Sequence, residues 1–267
     1  MDRQRWKNNK LEMMSMGNVN VHVTNSEEAL DHIEHSIREN QSSQIFFINA
    51  HCYNIAQKDE VYRRHLNEGD LILNDGIGLS LGATYFGFKF KENLNGTDFM
   101  PKLLKRIAQM KGTVFLLGGE KGVAEAAASQ LKQAIPDIQI VGCLHGYFHD
   151  PQVVIRTINE KNPDMVIVAM GTPYQEKFIA EFASQLHTKV CIGVGAYLDF
   201  ASKKVKRAPT WVRKRKLEWV YRLWLEPKRL WRRYLIGNFL FLYYIMKNKW
   251  KYRHRNPLNK ESLDSNE

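Results

Sequence analysis

The stretch Met165-Val166-Ile167-Val168-Ala169, followed one residue later by Gly171-Thr172-Pro173-Tyr174-Gln175-Glu176, decides the fold. Five apolar residues in a row leave no face for water, so the segment reads as a strand covered on both sides. A glycine-bearing turn follows, then a helical pattern over 174–186. The unit recurs along the chain. A strand at 45–48 precedes a helix over 53–67, and one at 71–73 precedes helices over 77–87 and 97–111. A strand at 114–117 precedes a helix over 121–134, one at 138–141 a helix over 151–161, and one at 190–194 closes the series. Ahead of them, 19–23 alternates like a short strand. Thr24-Asn25-Ser26 before Glu27 and Glu28 is a helix start, because hydroxyl and amide side chains cap free N–H groups. Apolar strands alternating with helices define an α/β chain with a Rossmann-like parallel sheet and helices on both faces.

Around residue 203 the character changes. Residues 203–255 carry 18 Lys/Arg against Glu218 and Glu226, so the formal charge of +11 is concentrated there and the body is mildly acidic. Five of the six tryptophans lie in the same region. A nucleic-acid binder spreads its positive charge over the fold. A local basic, tryptophan-bearing arm instead fits an anionic membrane surface. Helices are expected over 209–225 and 227–248, each opening on a proline. The longest apolar run, 234–246, contains Asn238 and is shorter than the roughly 20 residues of a spanning helix. The first twenty residues are polar, without the apolar core of a signal peptide. The chain therefore divides into a flexible leader (1–17), a Rossmann-like catalytic domain (18–202), a basic amphipathic membrane-binding appendage (203–252) and a disordered tail (253–267). The expected location is peripheral, on the cytoplasmic side of the cell membrane. Cys52, Cys143 and Cys191 have no metal or redox spacing and read as reduced thiols.

In open parallel sheets ligands bind beyond the carboxyl ends of the strands. The residues there are Asn49-Ala50-His51, Asn74-Asp75-Gly76-Ile77-Gly78, Gly118-Gly119-Glu120, Gly142-Cys143, Gly171 to Glu176, and Gly195-Ala196. Glycine lets backbone N–H groups approach a phosphate or sugar. Asp75 is the most pointed residue: a carboxylate at the sheet mouth either takes a proton from an attacking hydroxyl or caps the next helix. His51 and His145 read as surface or capping residues. A phosphate loop, a zinc motif, a G-x-S-x-G elbow and a D-x-D pair are all missing from the sequence. A dehydrogenase is disfavoured because no G-x-G-x-x-G follows an early strand. A bound diphosphate would then be held by protein cations, and Arg229, Arg232 and Arg233 share one helical face, with Arg222 across Pro227.

The segment from Asn49 through Asp75-Gly76-Ile77-Gly78 to Gly96-Thr97-Asp98 resembles the WecG/TagA/CpsF glycosyltransferase family. So do Gly171 to Glu176, Gly193-Val194-Gly195-Ala196, Arg207-Ala208-Pro209, Leu217-Glu218-Trp219, Arg222-Leu223, Glu226 to Leu230 and Arg232-Arg233-Tyr234. The resemblance covers residues 19–246. It implies an inverting transferase that takes a UDP-sugar as donor and a polyprenyl-diphosphate-linked sugar as acceptor, without metal or other cofactor. Typical products belong to teichoic acid, enterobacterial common antigen or exopolysaccharide synthesis, and the transferred sugar is N-acetylmannosamine, glucose or another hexose. It also implies that Asp75 is the general base. Substrate contacts fall on Asn49, Gly76, Gly78, Asn93, Asp98, Gly118, Gly171, Gln175 and Gly195, and diphosphate contacts on Arg222, Arg229 and Arg232. Phe47 and Asn93 stand where the family often has threonine and arginine. They motivate an alternative reading, a peripheral membrane scaffold that binds a nucleotide-sugar or a partner transferase. Self-association is left open by the sequence.

Overall fold

The computed structural model describes residues 11–215 and 217–255. The side chains of Lys214, Arg229 and 252–255 lie outside that description, as do most of the expected leader and tail. Six strands form one sheet: β3 (Ser43–Ile48), β4 (Leu71–Asn74), β5 (Thr113–Gly118), β6 (Gln139–Leu144), β7 (Met165–Ala169) and β8 (Val190–Gly193). Their order is β4-β3-β8-β7-β5-β6, and every neighbouring pair is parallel. The sheet starts in its interior at β3, steps outward to β4, restarts at β5 and steps outward to β6. β7 and β8 then fill the gap, which places the topological switch at the centre.

Side chains of consecutive strand residues point to opposite faces. Ile45 and Phe47 accordingly join one apolar cluster, while Phe46 and Ile48 join the other. Both faces are covered, as the unbroken apolar runs require. The first cluster takes α1 (Ser26–Arg38), α5 (Gly96–Gln109) and α6 (Val123–Ala134). The second takes α2 (Ala50–Lys58), α3 (Glu60–Asn67), α4 (Ile77–Phe86), α7 (Pro151–Lys161) and α8 (Tyr174–Phe182).

Local chemistry sets the helix bounds. Asn25 caps α1 by accepting from the Glu28 N–H at 3.0 Å. Asn49 caps α2, accepting from His51 N–H at 3.0 Å and Cys52 N–H at 3.1 Å, so this helix starts at Ala50 rather than 53. The helix expected over 53–67 is two helices, because Asp59 is extended and caps α3 through the Tyr62 N–H at 2.9 Å. Part of the expected leader is also ordered. β1 (Met13–Met16) and β2 (Val19–His22) form an antiparallel hairpin, with Met16 and Val19 buried against α2 and α4.

After α9 (Tyr197–Ala201) the appendage runs as α10 (Thr210–Lys214), α11 (Glu218–Leu225), α12 (Pro227–Trp231), a π-helical turn (Arg232–Ile236) and α13 (Gly237–Arg255). It is fastened at both ends. At the start, Arg207 ion-pairs with Asp98 at 2.7 Å and with Glu218 at 3.5 Å, and Arg213 reaches Asp98 at 3.4 Å. At the far end, Phe241 and Ile245 are buried in the second cluster. The Asn54 amide donates to the Gly237 carbonyl at 2.7 Å, and the Asn248 amide to the Tyr53 hydroxyl at 2.8 Å. Gly82 permits the close approach of α4: a Cβ there would lie 2.6 Å from Met16 and 3.0 Å from Phe241.

Gly118 ends β5 with φ at +144°, and a Cβ on it would lie 2.3 Å from the Ala169 carbonyl oxygen. Gly118→Ala therefore combines backbone strain with a clash against immobile backbone. The expected loss is about 2–4 kcal/mol of unfolding free energy, measurable by urea titration.

Candidate active site

A cavity of about 1110 Å³ opens at the carboxyl ends of the strands, with walls that include residues following all six. Asn49 follows β3, Asp75 β4, Gly119 β5, Gly146 β6, Gly171 β7 and Gly195 β8. The volume exceeds the roughly 300–1,000 Å³ of single-ligand pockets. The appendage supplies the remaining wall through Arg222, Leu230 and Arg233, among others.

Asp75 is half-buried at the end of β4. The cap of α4 is Gly76, at φ +93° and without a side-chain bond, so the capping role open to Asp75 from sequence is not the one it takes. Its backbone is braced on both sides. Asp75 N–H donates to the Ile48 carbonyl at 2.7 Å, and Gly76 N–H donates to the Asn93 side-chain oxygen at 2.7 Å. The preceding Asn74 is paired with the 92–94 segment through both its side-chain amide and its carbonyl. The carboxyl itself has a weak contact with the Asn49 amide at 3.5 Å. Burial raises its pKa above the ordinary carboxylate value. The Asn49 contact and the positive charges of Arg233 and Arg222 partly offset this, while Glu218 adds to the rise. A less acidic carboxylate is a stronger base, which suits proton abstraction.

Two guanidinium groups reach the cavity. Arg222 lies with its guanidinium carbon 5.3 Å from the Phe200 ring centroid, and its buried Nε has no hydrogen-bond partner. Arg233 is close enough to act electrostatically on Asp75, His51 and Cys52. The family resemblance pointed to Arg232, which helical spacing groups with Arg233. Both residues open a π-helical turn that spans 232–236, and Arg233 is the one that lines the cavity. Arg232 is exposed and stacks over Trp231 at 5.3 Å, outside the cavity lining. The side chain of Arg229 lies outside the described residues.

The other expected contacts divide. Asn49, Gly171, Gln175 and Gly195 line the cavity. Gln175 is only 2% exposed, and both ends of its amide are engaged. Its oxygen accepts from Gly195 N–H at 2.8 Å and its nitrogen donates to Glu176 at 3.0 Å. Gln175 thus fixes the turn after β8. Gly76, Gly78, Asn93, Asp98 and Gly118 are not among the lining residues. Gly78 faces Ala50 at the start of α2. Asn93 holds the Asp75-Gly76 turn, Asp98 moors the appendage, and Gly118 lets β5 meet β7. Each serves the site through its framework. Phe47 is a lining residue, set edge-on to Phe99 at 5.9 Å between ring centroids.

Two residues that sequence reasoning set aside or did not single out bear on the site. His51, read as a capping or surface residue, lines the cavity, and burial plus the Arg233 charge lower its pKa to about 4, so its imidazole is neutral at physiological pH. Its place two residues after Asn49 was the available signal. Glu176 is fully buried behind the wall, where its Oε1 accepts from Thr172 Oγ1 at 2.9 Å and from Gln175. Burial raises its pKa, and Oε2 has no partner. His145 keeps to its own turn, accepting from Tyr147 N–H at 3.2 Å. Among the described residues no three His, Cys, Asp or Glu side chains are grouped to hold a metal.

A central-switch cleft that brings the Asp75 carboxylate together with guanidinium groups of a C-terminal arm belongs to a Rossmann-like enzyme. The family model described as "Glycosyl transferase WecG/TagA/CpsF family" matches residues 14–255, and the chain belongs to that family; it is a glycosyltransferase. The N-acetylglucosaminyldiphosphoundecaprenol N-acetyl-beta-D-mannosaminyltransferase of Bacillus subtilis (strain 168) is 36% identical over 207 residues, 77% of this chain and 80% of that protein. The protein of the same name from Staphylococcus aureus (strain MRSA252) is 33% identical over 216 residues, 79% and 84% of the two chains. No helix among the described residues is long and apolar enough to cross a membrane.

The placement of the arginines is testable with UDP as a diphosphate probe. Arg233→Ala weakens UDP binding about tenfold or more, the value of a charged hydrogen bond, whereas Arg232→Ala changes it little. Isothermal titration calorimetry distinguishes the two.

Proposed function

We propose that the protein is an inverting glycosyltransferase that moves a hexose or N-acetylhexosamine, such as N-acetylmannosamine or glucose, from a UDP-sugar to a polyprenyl-diphosphate-linked sugar. The product serves teichoic acid or another cell-surface polysaccharide, made at the cytoplasmic face of the membrane. The observation that carries this reading is the half-buried, pKa-raised Asp75 facing a cavity that Arg222 and Arg233 also line. The names of the relatives support the acceptor: both act on N-acetylglucosamine linked through diphosphate to undecaprenol.

In the proposed step Asp75 takes the proton of the acceptor hydroxyl. The oxygen forms a bond to the anomeric carbon of the donor as the bond to the UDP oxygen breaks, and UDP leaves with the electron pair. A single displacement inverts the anomeric centre. Arg222 and Arg233 balance the charge that grows on the departing diphosphate, in a site where cations count for more than in water. His51, neutral beside Arg233, offers a hydrogen bond without adding charge. The step uses no metal. Asn93 supports this reading over a scaffold without chemistry, because it holds the turn that presents Asp75.

Asp75→Asn is expected to lower kcat by about 10²–10⁴-fold with little change in donor KM, read from transfer of labelled sugar to a lipid-linked acceptor. Turnover unchanged in this variant excludes Asp75 as the base. The pH dependence has a definite sign. The base acts only when ionised, so activity falls as pH drops through the raised pKa of Asp75. Arg233 stabilises the ionised form. Arg233→Gln therefore moves the acid limb of kcat/KM to higher pH, and a limb that stays fixed or moves down contradicts the assignment.

A further inference from the structure

The helix α4 begins two residues after Asp75 and belongs to the catalytic body, not to the appendage. Its inner face, Leu79, Gly82 and Ala83, is buried. Its outer face carries Ile77, Leu81 and Tyr85 at i, i+4 and i+8, and Leu81 is 61% exposed. The helix contains no charged residue. Such a ridge is unusual on the water-facing side of an enzyme, and its other neighbour is α13. Phe241 and Ile245 of α13 meet Gly82 from inside, and Lys249 reaches over Tyr85, with its ammonium 4.6 Å from the ring centroid and bonded to the Tyr85 carbonyl. Leu242 and Met246 lie on the same side of α13 as Lys249 by helical spacing, and both are exposed. The ridge of α4 and the exposed side of α13 therefore form one continuous surface.

We propose that this surface lies on an anionic membrane leaflet, so that a helix of the catalytic body, and not the appendage alone, seats the enzyme on lipid. The inference rests on the reading of the site as one that serves a lipid-linked acceptor. Three observations select the occupant. Apolar side chains with lysines at their border and aromatic rings between match the boundary between headgroups and acyl chains. α13 carries Lys247, Lys249 and Lys251 and no acidic residue, so a second copy docked by a two-fold axis would set like charge against like. The ridge also begins at the Asp75 turn, which brings the base to the level at which the diphosphate of a membrane-held acceptor emerges.

The test uses the full chain and vesicles of phosphatidylglycerol with phosphatidylethanolamine, with phosphatidylcholine vesicles as the uncharged control. Leu81→Glu is expected to weaken partitioning to the anionic vesicles about tenfold, the worth of one buried leucine, and Leu81→Gln to weaken it less in the same direction. Transfer to a short-chain, water-soluble acceptor should match the wild type. Thermal melting identifies any variant that fails to fold, and Leu81→Gln then carries the test. Unchanged partitioning overturns the proposal. So does a wild-type dimer that Leu81→Glu splits in sedimentation velocity, because the surface then belongs to a second copy. Equal loss of transfer on the soluble acceptor also overturns it, since the ridge then shapes the site itself. If the wild type transfers no sugar to any acceptor, the functional reading falls while the vesicle comparison still decides this one.

Discussion

The structure depends on a carboxylate drawn out of water and answered by cations from elsewhere in the chain. Burying a charge is costly unless it is paired or hydrogen-bonded. Asp75 sits where burial raises its pKa, and partial compensation comes from the Asn49 amide and from Arg233 and Arg222, which follow the last strand of the sheet in the chain. The appendage is therefore part of the cavity wall and also a condition for the electrostatic state of Asp75. The rest of the architecture can be understood as the means of keeping these groups opposed. Asn93 and the Ile48 carbonyl fix the turn, Asp98 fixes the beginning of the arm, and Tyr53 with Asn54 fixes its end.

The fold was legible because its signal is local and repeated. Apolar runs such as 165–169 need cover on both faces, and most of the turns that follow them carry glycine, which lets backbone approach a ligand. The site was legible where position along a strand determines it, as for Asn49, Asp75, Gly171 and Gly195. It was less so where partners are distant or a helix departs from its regular period. Asp98 looked like a ligand because it sits in a motif, yet its partners Arg207 and Arg213 lie more than a hundred residues away. Arg232 and Arg233 are adjacent, and the spacing of a regular helix could not tell which faces inward. In the structure Arg233 lines the cavity and Arg232 does not. Asp59 carried a usable signal: a capping residue inside an apparent helix marks a break.

The pair Gln175 and Glu176 shows how a motif can act at one remove. Glutamine in a sugar site suggests direct contact with hydroxyls. Here its amide is occupied by the Gly195 N–H and by a carboxyl that is itself wholly buried. Glu176 also holds Thr172, whose bond to Pro173 is cis, so one interior group aligns the turns after β7 and β8 together. Part of the cavity wall is in this way fixed by buried side chains that hold the turns, while Arg222, Leu230 and Arg233 supply another part.

The two moorings of the arm have a further consequence. A flap hinged at one end can swing clear and admit large molecules from above. An arm tied down by Asp98 at one end and by Tyr53 and Asn54 at the other is a bridge, and its middle is seated too, with Leu230 buried and Arg222 over the Phe200 ring. The span between the moorings carries Arg222 and Arg233, so the two guanidinium groups are held at the cleft from both directions along the chain.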